Sequence, residues 1–493
     1  GGLSCAAAFA RQGFKTLVLE LHDKPGGYAT AFKRPGGFVF DASLHSTGAG
    51  EREGIRNLIS GFPEITEVEF VEHPNLYRAI FPDHDITVPN RDLEAYIKHL
   101  CRLYPEEEQG IKGIFEDMKG LGRDVAKISA AQDQVDMSRF PKEYPYLFKG
   151  FNKTWGSMLD ARVKDPKLKA IISAQWGYYG LPPSKLSSFY YALPAIGYLE
   201  DGGFYPVGRS QKISDAFVNF IVSKGGKVLL KTPVDKILTK DHAAIGVQTE
   251  QGATYTGKVV VSNANAFDTF GKMLDEGDYL KDLHAKMEKL SVSFSSFLVF
   301  LGLNKDLVKE VGIKDSEIFF FQGYDFDADY EGMLKADFSS SEFGLSIYDN
   351  IYDGYSPEGK NTLGIIALQG YDHWEQYAED YWKGDKADYR KEKERMADIL
   401  IQKVEESLLP GLSQCIAVKE IGTPLTNIRY TRNFRGAVYG WNQTVDNSVP
   451  RRFPHKTPIK NLYLSGAWTS PGHGYGGVLS SGLECFAEIM KTW

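Results

Sequence analysis

The chain has 493 residues, enough for about three domain-sized units, with 42% apolar and 25% charged side chains. That balance excludes a disordered or fibrous chain, and the net charge of −7 gives no electrostatic footprint for nucleic acid. No apolar run approaches the roughly 18 residues of a membrane span, the nearest being Val292 to Leu303. The four cysteines (Cys5, Cys101, Cys415, Cys485) have no CxxC spacing, which points away from a disulfide framework or a zinc site and towards a reducing, cytoplasmic setting. Glycine (50 residues) and aromatics (13%) are both plentiful, as tight backbone approaches to a bulky ring cofactor require.

The chain opens Gly1-Gly2-Leu3-Ser4 and continues with small residues to Gly13, a helix with a glycine stop. Lys15 to Glu20 then reads as a buried strand ending in an acid. In a dinucleotide-binding βαβ unit, the third glycine of GxGxxG lets helix and strand pack closely, and an acid about 20 residues on takes the ribose hydroxyls. Gly2 and Glu20 have nearly that separation, so Gly2 is read as the third glycine, with the first strand and first two glycines expected upstream of residue 1.

Further along, Gly26-Gly27-Tyr28-Ala29-Thr30 leads into Gly36-Gly37 and a short strand, Phe38 to Asp41. Asp92 to Leu121 reads as helical, with Leu93, Tyr96, Ile97 and Leu100 on one face. The stretch from Phe140 to Leu199 is crowded with aromatics, including Tyr178, Tyr179, Tyr190 and Tyr191. Three readings stand open for it: a lipophilic tunnel, a membrane-facing patch, or interdomain core. Strands follow at Gly225 to Leu230, Val234 to Leu238, Val259 to Ala264, Val292 to Leu303 and Ile318 to Gly323, with an amphipathic helix at Glu392 to Leu409. At the far end the strand Asn461 to Gly466-Ala467 precedes Pro471-Gly472-His473-Gly474-Tyr475-Gly476-Gly477-Val478 and a helix. A strand, a glycine-rich turn and a helix start again make an anion site from backbone N–H groups and the helix dipole.

Absences narrow the chemistry. The sequence has no HExxH, Walker loop or GxSxG, and no second GxGxxG for a separate nicotinamide-binding domain. Three polar side chains sit where chemistry is expected: His45 after the Phe38–Asp41 strand, and His473 and Tyr475 in the C-terminal turn. Each is read either as a proton donor or orienting group facing one pocket, or as a backbone-bonded structural residue.

Gly2 with Glu20, the Gly26-Gly27 segment and the C-terminal LYLSGAW…PGHGYGG…SSG block resemble the phytoene desaturase family, which also holds carotenoid isomerases and retinol saturases. Gly202-Gly203-Phe204-Tyr205-Pro206-Val207-Gly208-Arg209-Ser210 is similar to a middle segment of that family, with Arg209 where a second glycine is common. Asp41-Ala42-Ser43-Leu44-His45 looks closest to the retinol-saturase-like branch. The resemblance implies an α/β fold. Its Rossmann-like FAD-binding domain is discontinuous (residues 1–90, 203–275 and 455–493), beside a helical aromatic-rich subdomain (91–202) and an α+β, sheet-containing substrate domain (276–454). It implies FAD contacts at Gly1, Gly2, Glu20, Gly26, Gly27, Tyr28, Ala29, Thr30, Val234, Asn263, Gly466, Ala467, Gly474, Gly476, Gly477 and Val478, and no metal. The implied activity is desaturation, saturation or isomerisation of a lipophilic polyene or isoprenoid. A diffusible electron donor or acceptor and peripheral membrane contact would complete it. A non-catalytic prenyl- or lipid-binding escort protein on a related fold is the alternative, and retention of Glu20 and the PGHGYGG block weighs against it.

Overall fold

The computed structural model describes residues 1–43, 45–51, 54–62, 65, 68–130, 135–136, 138–338 and 342–493. Leu44, inside the Asp41–His45 run, lies outside the described residues. The architecture is mixed α/β. The first helix, Gly2–Arg11, buries Ser4, Cys5, Ala6, Ala7, Ala8 and Ala10, and its small side chains let it pack closely. It lies against the last helix, Tyr475–Met490, and against Gln211–Ser223. At the crossing a Cβ on Gly482 would sit 2.0 Å from Ser4 Oγ and 2.3 Å from the Gly1 carbonyl oxygen, so only glycine fits.

Two short parallel pairs flank this helix layer. Leu17–Leu19 pairs with Lys227–Leu229, and Val260–Ser262 pairs with Leu462–Leu464. Both join segments far apart in sequence, so this part of the fold is assembled from separate stretches of the chain. Parallel pairing needs long crossovers, and here whole subdomains fill them. An antiparallel three-stranded sheet, Val234–Lys240, Ala243–Thr249 and Thr254–Thr256, completes that side.

The second centre is a seven-stranded sheet. Its order is Ile416–Gly422, Ser295–Leu303, Asn361–Gln369, Phe343–Ser346, Glu317–Phe320, Asn75–Ile80, Asp85–Pro89. The strand period of two sorts its faces. Phe297, Val299, Ile365 and Ala367 pack on the helices Asp372–Lys383 and Ala387–Ser407 through Trp374, Leu400 and Val404. Ser296, Leu298, Ile366 and Leu368 face a central cavity. Residues 75–89 correct the expected division of the chain. They form a hairpin whose first strand pairs in parallel with Glu317–Phe320, with Arg78 opposite Ile318. Leu76, Tyr77 and Ala79 are buried there, and this apolar pattern gives them a place on the substrate-side sheet, not in the 1–90 dinucleotide unit.

Rings of the aromatic-rich stretch occur both as buried core and as cavity lining. Trp155, Trp176 and Tyr191 are fully buried core, with Trp155 Nε1 donating to Ser173 Oγ (2.9 Å) and the Tyr191 hydroxyl to the Ile172 carbonyl (2.7 Å). Tyr178, Tyr179, Tyr190 and Tyr198 line the cavity. Among the described residues no helix is long and apolar enough to cross a membrane.

Arg452 holds the loops behind the cavity together. It is buried and donates to the carbonyls of Trp441 (2.9 Å), Ala467 (2.8 Å), Asn442 and Asn447 (3.1 Å each) and Thr469 (3.3 Å). Burial lowers its pKa to about 10, and among the described residues no carboxylate pairs with it. Five carbonyls would lose their donor in Arg452→Met. The variant should be less stable by about 3–5 kcal/mol, read as the denaturant midpoint. A loss under about 1 kcal/mol would show that water replaces the guanidinium.

Candidate functional site

A single cavity of about 1990 Å³ joins the two centres. It runs from the groove between Leu17–Leu19 and Val260–Ser262, past the starts of the first and last helices, to the aromatic-lined face of the large sheet.

The polar end is built from backbone. The first helix begins after Gly1 and the last after Gly474, so neither N-cap residue has a side chain, and on the first helix Asn263 takes the Gly2 N–H. Such helix N-termini offer N–H groups and the positive end of the dipole to an anion. A Cβ on Gly27, Gly474 or Gly476 would meet nothing within 4 Å, so bare backbone faces open space at all three. Gly26 is different: its φ of 117° and a Cβ position 2.1 Å from Ser214 Oγ make it obligatory for the turn. Asn263 ties the two halves together, its Oδ1 accepting from Gly2 N (2.6 Å) and its Nδ2 donating to the Ser465 carbonyl (3.0 Å). Glu20 ends its strand at the cavity edge and accepts from His22 N (2.9 Å), while burial raises its carboxyl pKa above the usual range. An acid at the end of the strand and two helix starts preceded by glycine are features that a dinucleotide site uses, so these residues fit FAD.

Val234, Ala467, Tyr28, Ala29, Gly477 and Val478 also border the cavity. Thr30 and Gly466 do not. The Thr30 hydroxyl bonds the Gly27 carbonyl (3.1 Å), and Gly466, at φ 99°, packs under Asn263, so each shapes the cradle from behind.

The three candidate catalytic side chains have different surroundings. Tyr475 donates to the Tyr28 carbonyl (2.9 Å) and fastens the last helix to the Gly26-Gly27 turn; burial keeps its hydroxyl protonated. His473 is buried against Tyr439 (ring centroids 4.1 Å apart) and Tyr190 (4.8 Å). Both its ring nitrogens lack a hydrogen-bond partner among the described residues, and the Tyr178 backbone approaches outside bonding geometry. Burial, with the Arg452 charge adding to it, pushes its pKa well below the ordinary histidine value and keeps it neutral. His45 is half-buried on the cavity wall, stacked on Tyr178 at 5.5 Å, with Nδ1 3.7 Å from Glu317 Oε2.

Sequence reasoning missed the polar network behind His45. Asp41 accepts from Ser210 N (3.1 Å), Ser210 Oγ and the Tyr205 hydroxyl. Arg209 lies over the Tyr355 ring (4.5 Å) and donates to Thr362 Oγ1 (3.0 Å). Its φ of 69° keeps the left-handed backbone that suits glycine, so the departure at this position changes the side chain and retains the turn. The legible signal was Asp41 closing an apolar strand. The site as a whole is that of a flavoprotein oxidoreductase fold.

The chain belongs to the flavin containing amine oxidoreductase family, which it matches over residues 1–490. It is 28% identical to prolycopene isomerase 1 from an Oncidium hybrid cultivar, covering 99% of this chain and 82% of that protein. It is 26% identical to the all-trans-retinol 13,14-reductase of Danio rerio (100% and 84%) and to the neurosporene-forming phytoene desaturase of Rhodobacter capsulatus (99% and 92%). Among solved structures, a single-substitution putrescine oxidase superposes with a TM-score of 0.64 at 14% identity, covering 100% of this chain and 97% of that one. A Plasmodium falciparum Rab GDI superposes at 0.52 and 11% identity (99% and 95%). These last two likenesses show the fold alone.

Burial raises the Asp41 pKa from 3.8 to about 6, against the opposing pull of Arg209. The folded protein therefore holds this proton where the unfolded chain has lost it, and stability from this group falls as pH rises from about 4 to about 6. Asp41→Asn should remove that component, on the order of 3 kcal/mol, from the difference in unfolding free energy between pH 4 and pH 7. An unchanged pH dependence would contradict the assignment.

Proposed function

We propose that this protein is an FAD-dependent oxidoreductase that desaturates, saturates or isomerises carbon–carbon bonds of a lipophilic polyene or isoprenoid. The observation that carries the reading is the continuity of one cavity from the glycine cradle to an aromatic chamber with His45 on its wall. The names of the relatives, a prolycopene isomerase, a retinol reductase and a phytoene desaturase, support a substrate of that class. FAD would be held by the Gly1-Gly2 and Gly474–Val478 helix starts, the Gly26-Gly27 turn and Glu20, and when bound supplies hydride exchange with a substrate carbon. The chain's own residues do the rest. Tyr178, Tyr198 and Tyr439, with Leu298 and Ile366, offer flat apolar walls that orient an extended chain and exclude water. His45 exchanges a proton at its ring with the substrate carbon, as general acid in saturation and general base in desaturation. A diffusible donor or acceptor balances the electrons. A lipid escort on the same fold would use the chamber but has no need of Glu20 or of two helix starts preceded by glycine.

The test is anaerobic turnover of flavin-loaded protein with a C20 or C40 polyene, followed by flavin absorbance and product analysis. His45→Asn should turn over about 10²–10⁴-fold more slowly with unchanged flavin content. Wild-type turnover would leave water as the proton source.

Phe148 (54% exposed), Phe151 (39%) and Val449 (44%) are among the exposed apolar side chains that border the cavity. An apolar rim is what a lipophilic substrate drawn from a lipid surface needs, and these side chains are the proposed point of peripheral contact. Phe148→Ser with Phe151→Ser should lower liposome flotation while leaving flavin content intact. Equal flotation of variant and wild type would remove this contact.

A further inference from the structure

Glu317 opens the otherwise apolar run Ile318-Phe319-Phe320-Phe321 and is 1% exposed. Its Oε1 accepts from Ser46 N (3.0 Å) and from the Tyr348 hydroxyl (2.6 Å), which fixes the plane of the carboxylate. Its Oε2 lies 3.7 Å from His45 Nδ1, an atom that is itself enclosed and has no closer partner among the described residues. Among the described residues no lysine or arginine pairs with Glu317. Arg209, the buried cation of this region, is engaged with Tyr355, Thr362 and the Asp41 network. His73 faces Glu317 from the far side, but its Nδ1 bonds Ser316 Oγ (2.7 Å) and burial lowers its pKa, so it stays neutral. A buried carboxylate without a counter-charge is costly. His45 is the group placed to supply one.

We infer that Glu317 is a positioning residue for His45: it holds a proton on Nδ1 and balances the imidazolium charge, leaving the Nε2 edge to exchange protons with the cavity. The carboxylate–imidazole pair is a general means of fixing a tautomer and ring orientation. The other titratable groups around His45 do not compete for this role. Tyr178, stacked on the ring, and Tyr198, bonded to the Ser46 carbonyl (3.2 Å), are kept protonated by burial. Asp41 acts on His45 only electrostatically, with its own oxygens taken by Ser210 and Tyr205. In the acid direction Nε2–H breaks, the proton passes to carbon and the electron pair stays on nitrogen; Nδ1–H remains towards Glu317.

The catalytic half of this inference rests on the proton-exchange reading of His45, and the experiment separates the two. In full-length protein carrying ¹⁵N-labelled histidine, with His45→Asn to assign the signal, neutral His45 should carry its proton on Nδ1. In Glu317→Gln, which keeps the bonds from Ser46 and Tyr348, it should revert to a mixture dominated by Nε2–H. Turnover should fall about 10–100-fold in kcat with KM and flavin content unchanged, and the same change should add nothing in a His45→Asn background. An Nε2–H tautomer in the wild type, or equal losses in both backgrounds, overturns the inference. An Nδ1–H tautomer that switches in Glu317→Gln, together with wild-type turnover by His45→Asn, supports the contact and discards only the proton-exchange reading.

Discussion

The close contact between the first and last helices is the constraint on which the site depends. Gly482 permits it, because any side chain there would collide with Gly1 and Ser4. Ser4 Oγ, donating to the carbonyls of Gly1 (2.9 Å) and Leu479 (3.0 Å), then locks the two helices in register. With the helices so close, their N-termini open into one space, and Asn263 bridges the strand ends beneath them.

From that cradle the cavity extends to the large sheet, and Ser448, Val449, Pro450 and Ala467 of the Arg452-held loops border it. The sheet offers alternate residues to the opening, and the aromatic-rich helices cover it. His45 stands on the cavity wall with Glu317 and Asp41 behind it, and tyrosines and apolar side chains line the chamber around it.

Much of the cradle was legible because it rests on local signals. A glycine pair, a strand-ending acid about 20 residues on and a second glycine-rich turn each have a backbone reason that survives without tertiary information. Gly26 and Gly474, both at positive φ, are of this kind. The wall was less legible. Glu317 and His45 meet only through sheet pairing and a loop packed on it, and nothing in the spacing between residues 45 and 317 announces this. Residues 75–89 were placed with the wrong unit for the same reason: a short hairpin states its own register but not the sheet it joins. The aromatic stretch had the composition of both a cavity wall and a core, and its rings occur in both places, since burial depends on which side of each helix the ring occupies.

The central claim is that the two helix starts and Glu20 form a dinucleotide cradle. Flavin stoichiometry of the purified full-length protein, from absorbance after acid release, tests it most directly against Glu20→Ala. A flavin spectrum near one equivalent in the wild type, released by acid, and a sharply lower occupancy in a variant with an unchanged circular dichroism spectrum are the predicted result. A colourless wild-type protein that takes up no added FAD, or equal occupancy in both proteins, would contradict it.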